Sequence, residues 1–234
     1  MASMEQFKTY LQPDNKNLFQ VFSSNMLNID WKNVSILDYG CNQGNYLNSA
    51  RGYINTQKYV GADIMLKSIM AATSIHTDCN FLHYDKWHQA WNPNGDKNLK
   101  LSNVPMGRKF DVILCYSVFT HTTFEQTMDE LNDLKKMLNP NGIILFTIWS
   151  KDIYPTFNKW LSERYDNISG NTLKCEKFAY WLNTSVLVTD TFNYISKETE
   201  SFNSFYDLEW FKQNTNAVHL GRPNNQHQEL YYIR

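Results

Sequence analysis

Asp38, Gly40 and Gly44 fall within Ile36-Leu37-Asp38-Tyr39-Gly40-Cys41-Asn42-Gln43-Gly44-Asn45-Tyr46-Leu47. An acid ends a short apolar run, two glycines four residues apart follow, and a helix-compatible stretch begins. Without a Cβ at Gly40, main chain can come close to a ligand. Asn42 tolerates left-handed dihedrals nearly as well as glycine. Such a loop binds with backbone groups and one carboxylate. It holds no lysine, so a zwitterionic ligand suits it better than a phosphate. His121 offers different chemistry: an imidazole with an unperturbed pKa of about 6.5 can exchange a proton near neutral pH. His121 and Tyr116 are candidate catalytic or acceptor-site residues, with packing or helix capping as the competing reading. Cys41 has no adjoining cation to activate it, so a nucleophilic role is not expected. His219 and Arg222 read as surface-loop residues near the end of the chain.

These residues need a frame. Short β-branched and apolar runs at 34–39, 59–63, 80–84, 110–115 and 142–148 read as strands. Helical segments begin near Gly44, Met65 and Phe124. Alternation of this kind calls for βαβ units and a parallel sheet. Nearly continuous apolar strands mean that both sheet faces are covered. The helix after strand four is the clearest. Thr122 and Thr123 precede Glu125 and Gln126 at capping-box spacing. Phe124, Met128, Leu131, Leu134 and Leu138 make one apolar stripe, and Asn139-Pro140-Asn141-Gly142 stops it.

Residues 1–33 read as an irregular helical cover. Residues 86–109, with Trp87 and Trp91, form a connection long enough to suggest function or disorder. The segment 150–205 predicts a helix at 154–165, a hairpin from 178–188 and 192–195, and an aromatic lid. That lid would carry Tyr154, Phe157, Trp160, Tyr165, Phe178, Tyr180 and Trp181. A helix at 206–213 and an antiparallel hairpin (217–220 with 229–233) close the chain.

The glycine loop fails the dinucleotide fingerprint G-x-G-x-x-G twice, at Asn42 and Asn45. It resembles instead motif I of the class I S-adenosylmethionine (SAM)-dependent methyltransferases, (V/I)LDxGxGxG, with Asn42 in place of the central glycine. Tyr59-Val60-Gly61-Ala62-Asp63-Ile64 is similar to that family's second motif. Asp85 is similar to its third-strand acid, and the segment from Phe110 to His121 to its fourth-strand motif. Leu138-Asn139-Pro140-Asn141-Gly142 is similar to its "LkPGG" turn. The likeness spans roughly 34–149 and the terminal hairpin.

The resemblance implies a Rossmann-like α/β fold. Its seven-stranded, mostly parallel sheet would be ordered 3-2-1-4-5-7-6, with helices on both faces. The chain would be a single domain over 1–234, with 1–33 as its cover and 150–205 as a lid or acceptor-binding insertion. Asp63 would receive hydrogen bonds from the ribose hydroxyls, Asp85 would meet the adenine amino group, and Ser117 and Val118 would lie beside the methionine part. The full cofactor-binding set implied is Asp38, Gly40, Cys41, Asn42, Gly44, Asp63, Ile64, Asp85, Lys86, Ser117 and Val118. The methyl group would move by in-line displacement, so the protein's main task is alignment. A general base is needed only where the acceptor keeps its proton.

Composition bounds the rest. Of 234 residues, 42% are hydrophobic, 15% aromatic and 19% charged, with a net charge of −1. That is enough apolar content for a core, and no basic excess exists to neutralise a phosphate backbone, so no nucleic-acid partner is expected. No apolar run approaches a membrane span. Four scattered cysteines exclude a zinc ribbon, argue against a disulfide scaffold and suggest a cytoplasmic setting; no metal is expected. The leading expectation is SAM-dependent methylation of a small molecule, at oxygen, in specialised metabolism. Methylation of a short peptide at its terminal carboxylate or amine is a variant. An RNA or protein methyltransferase, an NAD-dependent oxidoreductase and a non-catalytic SAM-binding module are the alternatives.

Overall fold

The computed structural model describes residues 17–24, 27–88, 91–153, 187–188, 191–195, 202–223 and 228–234. The sheet begins with five parallel strands: β1 (Ile36–Tyr39), β2 (Tyr59–Asp63), β3 (Asn80–His83), β4 (Phe110–Cys115) and β5 (Leu138–Ser150). They lie side by side in the order β3-β2-β1-β4-β5. Helices connect them: α1 (Leu18–Ser23) before β1, α2 (Leu47–Ala50), α3 (Leu66–Ile75) and α4 (Phe124–Lys135). The ladder is completed by β6 (Leu187–Val188), β7 (Thr191–Ile195), β8 (Phe202–Tyr206), α5 (Leu208–Thr215), β9 (Val218–Gly221) and β10 (Gln228–Ile233). The last strand, β10, runs antiparallel to β5 and β9 antiparallel to β10. The order β3-β2-β1-β4-β5-β10-β9 therefore reproduces 3-2-1-4-5-7-6. The additional strands β8, β7 and β6 continue from the far end of β5, where Trp149 and Ser150 pair with Phe205 and Tyr206.

Both sheet faces are covered, as the continuous apolar strands require. One face packs Phe119, Leu131, Leu134, Phe146, Phe211 and Tyr231 together. The other packs Tyr46, Leu47, Tyr59, Leu114 and Leu145 with Leu18, Val21 and Phe22 of α1. Here α1 is more than a cover: three of its six side chains are buried and belong to that core. The reason is its spacing. Leu18, Val21 and Phe22 share one helical face, and Asn17 caps the N-terminus by accepting a bond from the Gln20 N–H.

The capping box forms as Thr123 with Gln126. Helix α4 stops at Lys135, short of Leu138. That residue leaves the apolar stripe to pair with Phe110, so β5 begins before the Asn-Pro-Asn-Gly turn, not after it. Asn141 takes φ +66° there. Helix α3 starts at Leu66, one residue after Met65, and Tyr206 closes β8, leaving the following helix to start at Leu208. The expected helix at 154–165 and the lid aromatics from Tyr154 to Trp181 lie outside the described residues. The hairpin is seen in its described part, as Leu187 and Val188 paired with Phe192 and Thr191.

Candidate functional site

A cavity of about 390 Å3 opens at the carboxyl ends of β1, β2 and β4, where ligands of open parallel sheets bind. Its wall brings together Asp38, Gly40, Cys41, Asn42, Asp63, Ile64, Lys86, Tyr116, Ser117, Val118 and His121. Sequence separations of up to 83 positions collapse into one site because each residue follows a neighbouring strand. Gly44 and Asp85 are not among the lining residues. Gly44 has φ +80°, and a Cβ there would meet the His76 ring at 2.6 Å. Its task is to let the loop close against α3's end. Asp85 turns its carboxylate to the Asn92 side-chain amide at 2.9 Å, bracing the loop after β3.

The glycine loop is held from inside. Gly40 and Cys41 both donate main-chain hydrogen bonds to the Ala62 carbonyl. Gly40 sits at φ +78°, and a Cβ there would stand 2.5 Å from Val118 Cγ2, so the loops after β1 and β4 can touch only through a glycine. Asn42 adopts φ +51°. Its N–H donates to Asp63 Oδ2 at 2.8 Å, and the Met65 N–H donates to Oδ1 at 2.8 Å. The second-strand acid therefore ties the first loop to the second while facing the cavity. Each carboxylate oxygen can accept twice, so capacity remains for ligand hydroxyls. Burial raises the Asp63 pKa, and those two N–H groups oppose the rise.

Asp38 is deeper. Burial pushes its pKa up to about 7, against the hydrogen bond donated by Tyr59 (2.7 Å) and helped by the nearby Asp63 charge. A carboxyl poised there ionises readily when a cation arrives. Burial and the same acids hold the Cys41 thiol well above its ordinary pKa, so it is not a nucleophile.

The loop after β4 is positioned by a polar network. Ser117 takes the left-handed φ of +57°, an uncommon state for a serine. Its N–H donates to Thr147 Oγ1 at 2.9 Å, and its Oγ accepts from Gln228 Nε2 at 3.0 Å. Thr147 in turn donates to Gln228 Oε1. Two buried polar residues of β5 and β10 thus set a backbone turn at the cavity wall.

Several lining residues escaped sequence reasoning. Glu130 of α4 is buried and accepts from Tyr39 (2.7 Å) and Lys86 Nζ (2.9 Å). An acid inside an amphipathic helix reads as solvent-facing until its partners arrive from 44 and 91 residues away. The long connection after β3 is ordered in its described part: the backbone of Lys86 pairs with that of Asp96 in an isolated β-bridge, and Trp87, His88 and Trp91 line the cavity. Trp91 stacks on His88 (4.5 Å, 18°) and meets His121 edge-on (4.5 Å, 83°), with Trp149 at 6.1 Å from His121. His88 Nε2 lies 3.2 Å from the His121 carbonyl and its Nδ1 takes the Trp91 N–H at 3.3 Å. A carbonyl only accepts, so these partners assign the neutral Nε2–H form to His88. Burial, which lowers the His88 pKa, agrees.

His219 and Arg222 are not loose surface residues. Both bond Glu229, which is buried in β10, at 2.9 and 2.7 Å. Arg222 also reaches Asp152 at 3.1 Å. The pairing of β9 with β10 brings them together, and no local pattern announces it.

This geometry has counterparts. Residues 9–232 match the family model described as Methyltransferase domain. The chain belongs to the methyltransferase domain family. It is similar to the DhpI-SAM-HEP complex at 9% identity, with 97% of this chain and 89% of that one covered and a TM-score of 0.55. It is also similar to magnesium protoporphyrin IX methyltransferase (ChlM) from Synechocystis PCC 6803 with bound SAH (11% identity, 98% and 82% covered, TM-score 0.50). Of the ribosomal protein L11 methylase from Lactobacillus delbrueckii subsp. bulgaricus the chain spans 65%, with 63% of this chain covered, at 18% identity and a TM-score of 0.39. The fold is Rossmann-like, and the cofactor that these two bound structures imply is SAM.

The site fits that cofactor. Main chain from Gly40 to Asn42 lines the cavity with Asp38 and Asp63, while Val118 packs against Gly40 itself, and the volume lies in the range of small-molecule sites. Bound SAM supplies a methyl group already activated on a cationic sulfur. The chain's own residues orient the ligand: the loop after β1 backs one side, Asp63 stands where the second strand ends, and the rings of Trp91, His121 and Trp149 meet one another along the wall. Among the described residues no helix is long and apolar enough to cross a membrane.

Proposed function

We propose that the protein methylates a small molecule at oxygen, in specialised metabolism within the cytoplasm. Asp38, Gly40, Cys41 and Asn42 are assigned to the amino-acid end of SAM, Asp63 and Ile64 to its ribose, and Ser117 and Val118 to the region beside the sulfur. Lys86 borders the base side, where Asp85 acts through its brace to Asn92. His121 and Tyr116 face the acceptor. One observation carries the reading: the imidazole of His121 is set into an aromatic wall of Trp91 and Trp149 at the cavity. Such a wall favours a flat or apolar acceptor, and an imidazole beside it suits removal of a hydroxyl proton.

The test is a panel of small phenols, small carboxylic acids and short peptides, with S-adenosylhomocysteine (SAH) formation measured for each. A phenolic acceptor should give the highest kcat/KM. Preference for a peptide terminus would replace this reading. With the best acceptor, His121→Ala should lower turnover by roughly 10²–10⁴-fold, the usual worth of acid–base catalysis, and leave SAH affinity within about twofold. An unaltered pH–rate profile would make His121 a packing residue.

A further inference from the structure

Tyr46 immediately precedes α2 and is 2% exposed. Its ring is fully engaged: parallel to Tyr59 (6.5 Å, 8°), edge-on to Phe22 (6.1 Å) and tilted against Phe19 (6.3 Å). Its hydroxyl is different. That oxygen is buried and has no hydrogen-bond partner among the described residues. Three other phenols in or behind the cavity wall are satisfied. Tyr59 donates to Asp38, Tyr39 to Glu130 and Tyr84 to the Leu99 carbonyl.

Buried polar groups are nearly always paired, and the exceptions call for a reason. Here the residue lines the cavity, as do Asn45 and Asp38, and it lies near enough to feel the Asp38 charge. Burial, and then the Asp38 charge, make the Tyr46 phenol harder to ionise, so it remains an O–H donor. A hydroxyl of this kind lacks an acceptor, and the ligand side of the wall is where one can enter.

We propose that Tyr46 reads the amino-acid end of SAM, its O–H donating to the α-carboxylate while Asp38 takes the neighbouring ammonium. This rests on the assignment of the glycine loop to that end of the cofactor. The zwitterion matches the pair: an acid for the cation, a neutral donor for the anion. Lys86 does not serve the carboxylate, because its ammonium is already paired with Glu130. Two fittings are thus built before the cofactor arrives, and the packing of Tyr46 between Tyr59 and Phe22 keeps its hydroxyl in one place at little entropic cost.

Calorimetry on the wild-type chain and Tyr46→Phe tests this with three probes: SAH, decarboxylated SAH and 5′-methylthioadenosine, which lacks the amino-acid end. The variant keeps the ring and deletes only the oxygen, so its thermal midpoint should equal or exceed that of the wild type. It should bind SAH about tenfold more weakly, as expected for one hydrogen bond to a charged group. Decarboxylated SAH and 5′-methylthioadenosine should bind both proteins alike. Equal SAH affinity in the two proteins overturns the proposal, and so does a matching loss for 5′-methylthioadenosine, which would mark a general change in the site. Failure of the wild type to bind SAH would instead remove the cofactor assignment itself.

Discussion

At Asp38 the apolar surroundings and the cofactor's charge pull in opposite directions. The carboxyl titrates near 7 in the free protein because burial disfavours its charge. A cationic ligand favours the ionised form. SAM affinity should therefore rise with pH between about 6 and 7 and level off above, with a proton released on binding in the lower range. Calorimetry in buffers of different ionisation enthalpy measures that proton; Asp38→Asn should flatten the profile. A wild-type profile already flat across this range would mean Asp38 does not meet the cation. The same shift acts on folding. With a folded pKa above the unfolded one, the native state holds an extra proton between about pH 4 and 7, and stability declines as pH rises through that window. Asp38→Asn should remove that decline, so its thermal midpoint should exceed the wild type's most clearly near pH 8. Asp63 plays another part. Its carboxylate joins two loops and faces the ligand, so Asp63→Ala should cost SAM binding roughly 1.5–3 kcal/mol. Unchanged affinity would reduce it to a tie between the Asn42 and Met65 amides.

Between elements, the critical approach is that of the loops after β1 and β4. At Gly40 an added Cβ would strike Val118 Cγ2, and the left-handed φ would penalise it further. Gly40→Ala should weaken SAH binding and lower thermal stability by about 1–2 kcal/mol or more. The double variant with Val118→Ala should recover only the steric part, since the dihedral remains strained. Full recovery in a double-mutant cycle would show that conformation is no obstacle. Loss of the Thr123 cap on α4 (Thr123→Ala) should cost about 1 kcal/mol, read by urea denaturation, without altering SAH affinity. The helix sets Glu130 in the cavity wall, but its cap is remote from the glycine loop in sequence and in bonding.

Across the molecule, the terminal strands lock the sheet. Burial favours the neutral form of Glu229, yet hydrogen bonds from His219 and Arg222 outweigh it and hold its pKa below the usual carboxylate value. A depressed folded pKa contributes stability above the unfolded value, and that contribution disappears as pH falls through the folded one. Acid should thus loosen the β9–β10 hairpin below about pH 4.5, the ordinary glutamate range. Glu229→Gln should lower the thermal midpoint at pH 7 and narrow the gap between pH 7 and pH 3. An equal gap in both proteins would mean the network adds nothing to cohesion. Gln228 precedes Glu229 on the same strand and supports Ser117, so the end of the chain also helps to build the wall of the cavity.

Local order was sufficient for the strand–loop–helix signals: Asp38 before Gly40, Asp63 at the close of the second apolar run, and the threonine-capped helix are each written within about ten residues. Those patterns point to the fold class and to many of the cavity's members, because a parallel sheet delivers every strand end to one edge. Only the tertiary structure decided which polar groups face each other. Glu130 found Lys86 and Tyr39, Asp85 turned to Asn92, Arg222 and His219 met Glu229, and Tyr46 kept its hydroxyl unspent beside Asp38. Hydrophobic spacing carries no term for such pairings. They depend on strand register and on chain segments dozens of residues apart, which periodicity cannot encode.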